Sequence, residues 1–147
     1  MKNSTEADPL FIDTWGWLVL ANDKDPSYHS VLELRSDATS HNDPWVTTDY
    51  VLDEALTRLF ASTHFAKAAR FVDGIFEAQK IGSVVIERID PQRFDNAWKL
   101  RLRYKDKPKV SFTDLTSFVV MRENHIRRVV TADAHFGQIG LGFQIIP

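Results

Sequence analysis

Short runs of β-branched and large apolar residues alternate with helix-period segments, and this alternation constrains the fold more than any other feature of the chain. Leu10-Phe-Ile12, Pro44 to Thr48, Ser83 to Glu87, Arg127 to Thr131 and Gly142 to Ile146 read as strands. Between them, Trp15 to Ala21, Ser27 to Ser40, Asp49 to Ser62, Thr63 or His64 to Gln79, Pro91 to Tyr104 and Ser111 to Asn124 read as helices. The clearest helix is Asp49 to Ser62, where Val51, Leu52, Ala55, Leu56, Leu59 and Phe60 recur on one apolar face. Pro91 suits a first helical turn, and Ser111 with Asp114 makes a capping-box-like start. Strands alternating with helices predict an α/β domain with a mainly parallel sheet of about five strands.

The 147 residues fit a single domain spanning 1–147, with no internal repeat or linker-like tract. A chain that is 44% apolar and 26% charged has an ordinary globular balance. Its net charge of −2 exerts no global pull on nucleic acid, so such a partner needs a local basic patch or bound metal ions. Without cysteine there are neither disulfides nor thiolate metal sites. The opening MKNSTEADPLF has no signal-peptide-like apolar stretch, and no apolar run approaches the ~20 residues that span a membrane. A cytoplasmic protein without membrane association is expected.

Ligands of parallel sheets gather beyond the carboxyl ends of the strands, and Asp13 and Asp133 fall there. Each also suits a cap, because an aspartate accepts bonds from free N–H groups at a helix or turn start. Asp114 lies in the first turn of its helix, where the dipole favours an acid and also keeps it ionised for a cation. Glu54 points away from the Val51/Leu56/Leu59 stripe, as a solvated glutamate would, while Asp49 and Asp53 lie nearer the stripe's edge and compete with it. Periodicity does not choose among these three.

FIDT (Phe11 to Thr14), TTDYVLDEALT (Thr47 to Thr57), SFTDLTSFVVM (Ser111 to Met121) and TADAHF (Thr131 to Phe136) follow one another in that order. Together they resemble the PIN-domain ribonucleases, specifically the VapC-type toxins of toxin–antitoxin pairs, over essentially the whole chain. The resemblance implies a three-layer α/β/α fold and a quartet of carboxylates, Asp13, Glu54, Asp114 and Asp133, around Mg²⁺ or Mn²⁺. It places Thr14, Thr113 and Thr131 at supporting hydroxyl positions. It further implies an RNA substrate, cleaved to a 5′-phosphate and a 3′-hydroxyl, a cognate antitoxin and a homodimer. Many relatives carry another acid shortly after the last aspartate, where this chain has His135. His135 is read as a structural polar residue, not as a base or ligand, and Phe136 as the anchor of the turn after Asp133.

Hard cations prefer oxygen ligands, offset the repulsion among converging carboxylates and lower the pKa of a coordinated water. The run from Trp98 to Lys109, WKLRLRYKDKPK, leads into Asp114 and offers Arg101, Arg103, Lys105 and Lys107 as phosphate contacts, with Asp106 pairing locally. The apolar faces of Asp49–Gln79 exceed what one small sheet needs, so Leu52, Leu56, Phe65, Phe71 and Phe76 are candidates for a dimer or antitoxin surface. Two rivals are a non-catalytic interaction protein on the same fold and a phosphatase or phosphotransferase using Asp13 as nucleophile. The dehalogenase-like version of the latter wants a second aspartate two residues on, where this chain has Trp15.

Overall fold

The computed structural model describes residues 8–147; Met1 to Ala7, most of the opening segment read as lacking an apolar leader, lie outside the described residues. The strands are β1 (Leu10–Ile12), β2 (Trp45–Thr48), β3 (Val84–Glu87), β4 (Arg128–Val130) and β5 (Gln144–Ile146). The helices are α1 (Thr14–Leu20), α2 (Tyr28–Ser40), α3 (Asp49–Ser62), α4 (Phe65–Lys80), α5 (Pro91–Arg103), α6 (Phe112–Glu123) and α7 (His135–Gln138). All strand pairings are parallel, in the order β3-β2-β1-β4-β5, and helices flank the sheet to give the α/β/α layering.

The order dictates where a site can form. From β1 the chain winds outward through β2 and β3, then returns to the other side of β1 as β4. The winding therefore reverses between β1 and β4, and a parallel sheet opens a crevice beyond the carboxyl ends of the strands at that reversal. Phe11 pairs with Val129 and Ile12 with Val130, so these two strands end side by side. Asp13 follows the end of β1 directly, and Asp133 lies just beyond the end of β4, after Thr131 and Ala132.

Burial on both faces explains the unbroken apolar character of β1, in which all three residues are buried. β2 is buried throughout too, its Thr47 hydroxyl donating to the Ile12 carbonyl at 3.1 Å and its Thr48 hydroxyl accepting from the Val51 amide at 3.0 Å. The Trp45 ring is fully buried, edge-on to Trp17 at 6.2 Å, with the Arg35 guanidinium 5.3 Å from its centroid. Helix α6 is buried from Asp114 to Met121, hence apolar nearly all round; Thr116 and Ser117 satisfy their hydroxyls on the Thr113 carbonyl at 2.6 and 3.1 Å. Gly16 lets α1 lie close on the sheet, since a Cβ there would stand 2.8 Å from Ile12 Cγ1 and 3.1 Å from Val130 Cγ1. That close approach sets the first turn of α1, with Thr14 and Trp15, beside the crevice.

One expected surface residue is a core residue. Leu52 belongs to the central apolar cluster at 7% exposure, because it points from α3 towards the sheet. Leu56 and Phe71 are half-buried, whereas Phe65 and Phe76 on α4 remain exposed. No helix among the described residues is long and apolar enough to cross a membrane.

Candidate active site

The reversal point opens into a cleft of about 340 Å³ whose lining includes Asp13, Glu54, Asp114 and Asp133 together. Each acid arrives by a different local route. Asp13 holds the N-cap position of α1 but makes no side-chain cap bond; its Oδ2 instead accepts from the Thr131 hydroxyl at 3.0 Å. Asp114 lies in the first turn of α6, where the N-cap Ser111 Oγ accepts from its amide at 3.0 Å, so the capped turn holds its carboxylate at the cleft. Asp133 forms the turn before α7: its amide donates to Thr131 Oγ1 at 3.0 Å and its Oδ1 accepts from the His135 amide at 2.9 Å. One threonine hydroxyl thus ties two of the acids. Phe136, fully buried against Phe118 at 4.9 Å, anchors that turn in the core.

Glu54 reaches the same cleft from α3. Its Oε2 accepts from the Thr14 hydroxyl at 3.2 Å and its Oε1 lies 3.8 Å from Arg58. The face of α3 opposite its apolar stripe is therefore turned to the cleft, which periodicity could not reveal. Its competitors are elsewhere. Asp49 accepts from the Ile89 amide at 2.9 Å and holds the β3–α5 connection, and Asp53 is exposed on α3.

Charge is poorly balanced here. Burial raises the Asp13 carboxyl to about 6, partly opposed by the Thr14 amide and the Thr131 hydroxyl and reinforced by Glu54 and Asp133. Burial likewise raises Asp114 to about 7, with the charges of Asp13 and Asp133 and a hydrogen bond with Asp133 adding to it, against the Ser111 amide. The basic residues lining the cleft are Arg58, Lys109 and His135. His135 Nδ1 stands 3.1 Å from Asp133 Oδ1 yet has no hydrogen-bond partner among the described residues. Ligand atoms of Asp114, Asp133 and His135 all lie within 4.8 Å of one another. His135, set aside on sequence grounds, is thus part of the cluster.

Three other expectations change. Arg101 donates to the carbonyls of Val110, Tyr104 and Lys107, each at 2.7 Å, so its guanidinium closes a loop and is unavailable to phosphate. Arg103 leans over Tyr104, Lys107 pairs with Asp106 at 3.6 Å and Lys105 is exposed; none lines the cleft, which the run reaches only through Lys109. Thr113 is also absent from the lining, where the hydroxyls are those of Thr14 and Ser111, with Thr131 buried behind. Arg58 was missed, although its position four residues after Glu54 marks an i,i+4 ion pair.

Two known proteins are similar to this chain. The 23S rRNA-specific endonuclease VapC20 of Mycobacterium tuberculosis is 29% identical over 133 residues, covering 89% of this chain and 94% of that protein. The crystal structure of that protein, described as a sarcin-ricin loop cleaving toxin, superposes with a TM-score of 0.73 at 26% identity, over 89% of this chain and 95% of that one. VapBC2 of Rickettsia felis, crystallised on a DNA fragment of its promoter, shares the fold at a TM-score of 0.67 and 15% identity, over 94% and 97% of the two chains. The PIN domain itself matches residues 10–141, from the first strand to beyond the last acid, and the chain belongs to the PIN-domain family.

Proposed function

We propose that this protein is a divalent-metal-dependent endoribonuclease and the toxin of a toxin–antitoxin pair, like the VapC proteins it is similar to. One observation carries the reading: Asp13, Glu54, Asp114 and Asp133 line a single small cleft in which two carboxyls are held well above their ordinary range. Converging like charges cost stability unless a cation offsets them, so their joint presence argues for function and against a bare scaffold. The donor set also fits a hard ion, being rich in carboxylate oxygen and lacking thiolate. Asp13, Asp114 and Asp133 would hold Mg²⁺ or Mn²⁺, with Glu54 facing them across the cleft.

When bound, such an ion polarises a phosphate oxygen and makes hydroxide available near neutral pH. The protein's residues do the rest. Thr131 fixes the orientation of Asp13 and the turn of Asp133 through one hydroxyl. Glu54, steadied by Thr14, is placed to orient an attacking water and take up its proton. Arg58 and Lys109 at the rim hold flanking phosphates. Trp15 and Arg58 are shared with a larger groove of about 890 Å³ running past Lys24 and Lys67, which has room for an RNA strand leading from the cleft. Hydrolysis leaves a 5′-phosphate and a 3′-hydroxyl. A nucleophilic role for Asp13 is disfavoured by its burial and its bond to Thr131, both of which restrict access to the carboxylate. Cytoplasmic residence, a protein antitoxin and a homodimer using Phe65 and Phe76 complete the proposal.

Purified protein incubated with structured RNA and Mg²⁺ or Mn²⁺ should cleave it, and chelation should stop cleavage. Asp13→Asn and Asp114→Asn should each be inactive while retaining the native circular dichroism spectrum. Unchanged cleavage in either variant sinks the proposal.

A further inference from the structure

We infer that His135 is itself a metal ligand through Nδ1, so that the centre is a mixed nitrogen–oxygen site favouring Mn²⁺ and later first-row ions over Mg²⁺. The inference rests on the reading that this cleft binds a divalent cation.

The geometry supplies the argument. His135 Nδ1 is buried and lies 3.1 Å from Asp133 Oδ1, but no hydrogen bond joins them. That same oxygen already accepts from the His135 backbone amide at 2.9 Å. With Nδ1 presenting its lone pair, the imidazole and the carboxylate oxygen repel, and a cation between or beside them relieves that repulsion. A ring N–H is poorly aligned for the task. A cation is not bound by that alignment, and the Asp114, Asp133 and His135 donor atoms already stand within 4.8 Å of one another. Ligands at ~2.1 Å from one ion stand at most about twice that distance apart, so small side-chain rotations bring all three onto it.

The ring is also held ready. His135 opens the short helix α7, whose next residue, Phe136, is locked in the core, and Asp133 fixes the backbone on the other side. Asp13 joins the group indirectly, through the Thr131 hydroxyl that also braces the Asp133 turn. Imidazole binds Mg²⁺ poorly and suits transition ions, so this nitrogen shifts selectivity without changing the count of acids.

The test is binding, independent of cleavage. Mn²⁺ is titrated into the full-length protein and followed by electron paramagnetic resonance, with Mg²⁺ as competitor, and the bound ion is examined by pulsed methods for directly bonded nitrogen. Wild type should bind Mn²⁺ roughly ten-fold or more tightly than Mg²⁺, with a strong nitrogen coupling. His135→Gln should lose the coupling, and His135→Asp should lose it while narrowing the Mn²⁺/Mg²⁺ ratio several-fold. Saturable Mn²⁺ binding without nitrogen coupling, or a coupling that survives in His135→Gln, overturns the inference and leaves the ribonuclease proposal standing. No binding at millimolar Mn²⁺ overturns both.

Discussion

The cleft has two walls built on different physical grounds. One wall carries Asp13, after the end of β1, and Glu54, from within α3, each bonded to a threonine hydroxyl, Thr131 and Thr14. The helix-start wall carries Asp114 and Asp133, fixed by the cap of α6 and the turn into α7, with His135 beside them. The first wall depends on long-range contact: Asp13 and Thr131 are 118 residues apart in the chain, and Thr14 and Glu54 are 40 apart. The second depends on bonds spanning two or three residues. Helix starts can therefore present an acid cheaply and locally, whereas the Asp13/Glu54 wall exists only once the sheet has closed and α3 has packed beside α1. The balance of charge falls unevenly too, since Asp114 is raised further than Asp13.

The largest expected effect separates the walls by catalysis. Asp114→Asn should lower RNA cleavage ~10⁴-fold or more and Glu54→Gln about 10²-fold, because a lost ion-binding carboxylate removes more than a lost proton acceptor. Single-turnover rates on one RNA check this, and equal losses would erase the distinction.

Next comes stability against pH in metal-free protein. Asp13 and Asp114 are raised from 3.8 to about 6 and about 7. Between those limits the native protein holds more protons than the unfolded chain, so stability falls as pH rises, and the full penalty is present above about 7. The melting temperature should drop by roughly 5 °C from pH 5 to pH 8. Asp114→Asn should flatten that slope and melt higher than wild type at pH 8, despite being inactive. Excess Mn²⁺ should raise the wild-type melting point more at pH 8 than at pH 5. A pH-independent wild type would break the electrostatic account of the helix-start wall.

Thr131→Val tests the strut between the walls. It strands Asp13 Oδ2 and the Asp133 amide, and should cost ~1–3 kcal/mol by denaturant unfolding, with Thr131→Ser recovering most of it. The smallest pair contrasts two arginines of the basic run. Arg101→Ala should destabilise by ~1–2 kcal/mol, having lost three carbonyl contacts, while Arg103→Ala changes stability little. Neither should alter the salt dependence of RNA binding, whereas Arg58→Ala should lower its slope by about one.

Much of this was legible without coordinates. The strand positions were readable because strands of a parallel sheet are short runs of β-branched and large apolar residues, and β1 to β5 occur where expected to within two residues at each end. Asp114 was readable because its cap is local. The four-residue α7 was not, since a single turn carries no periodic signal, though Phe136 marked the anchor. Glu54 was ambiguous, because a helical wheel gives direction relative to the core stripe and cannot say whether the opposite face meets water or another wall. The basic run misled because charge density says nothing of where a guanidinium's donors are spent, and Arg101 spends them on its own loop.

By itself, then, the sequence determined the order of the strands and the longer helices, the capped start that presents Asp114, the strand end that precedes Asp133, and the motifs of a family. Those rest on propensity, capping and burial pattern, which act within a few residues of each position. Only the tertiary structure decided that Glu54 rather than Asp49 faces the acids, that Arg58 and Lys109 stand at the rim, and that His135 turns its nitrogen inward. Each of these depends on which surfaces the crossovers bring together across the β1–β4 reversal, and no local preference encodes that.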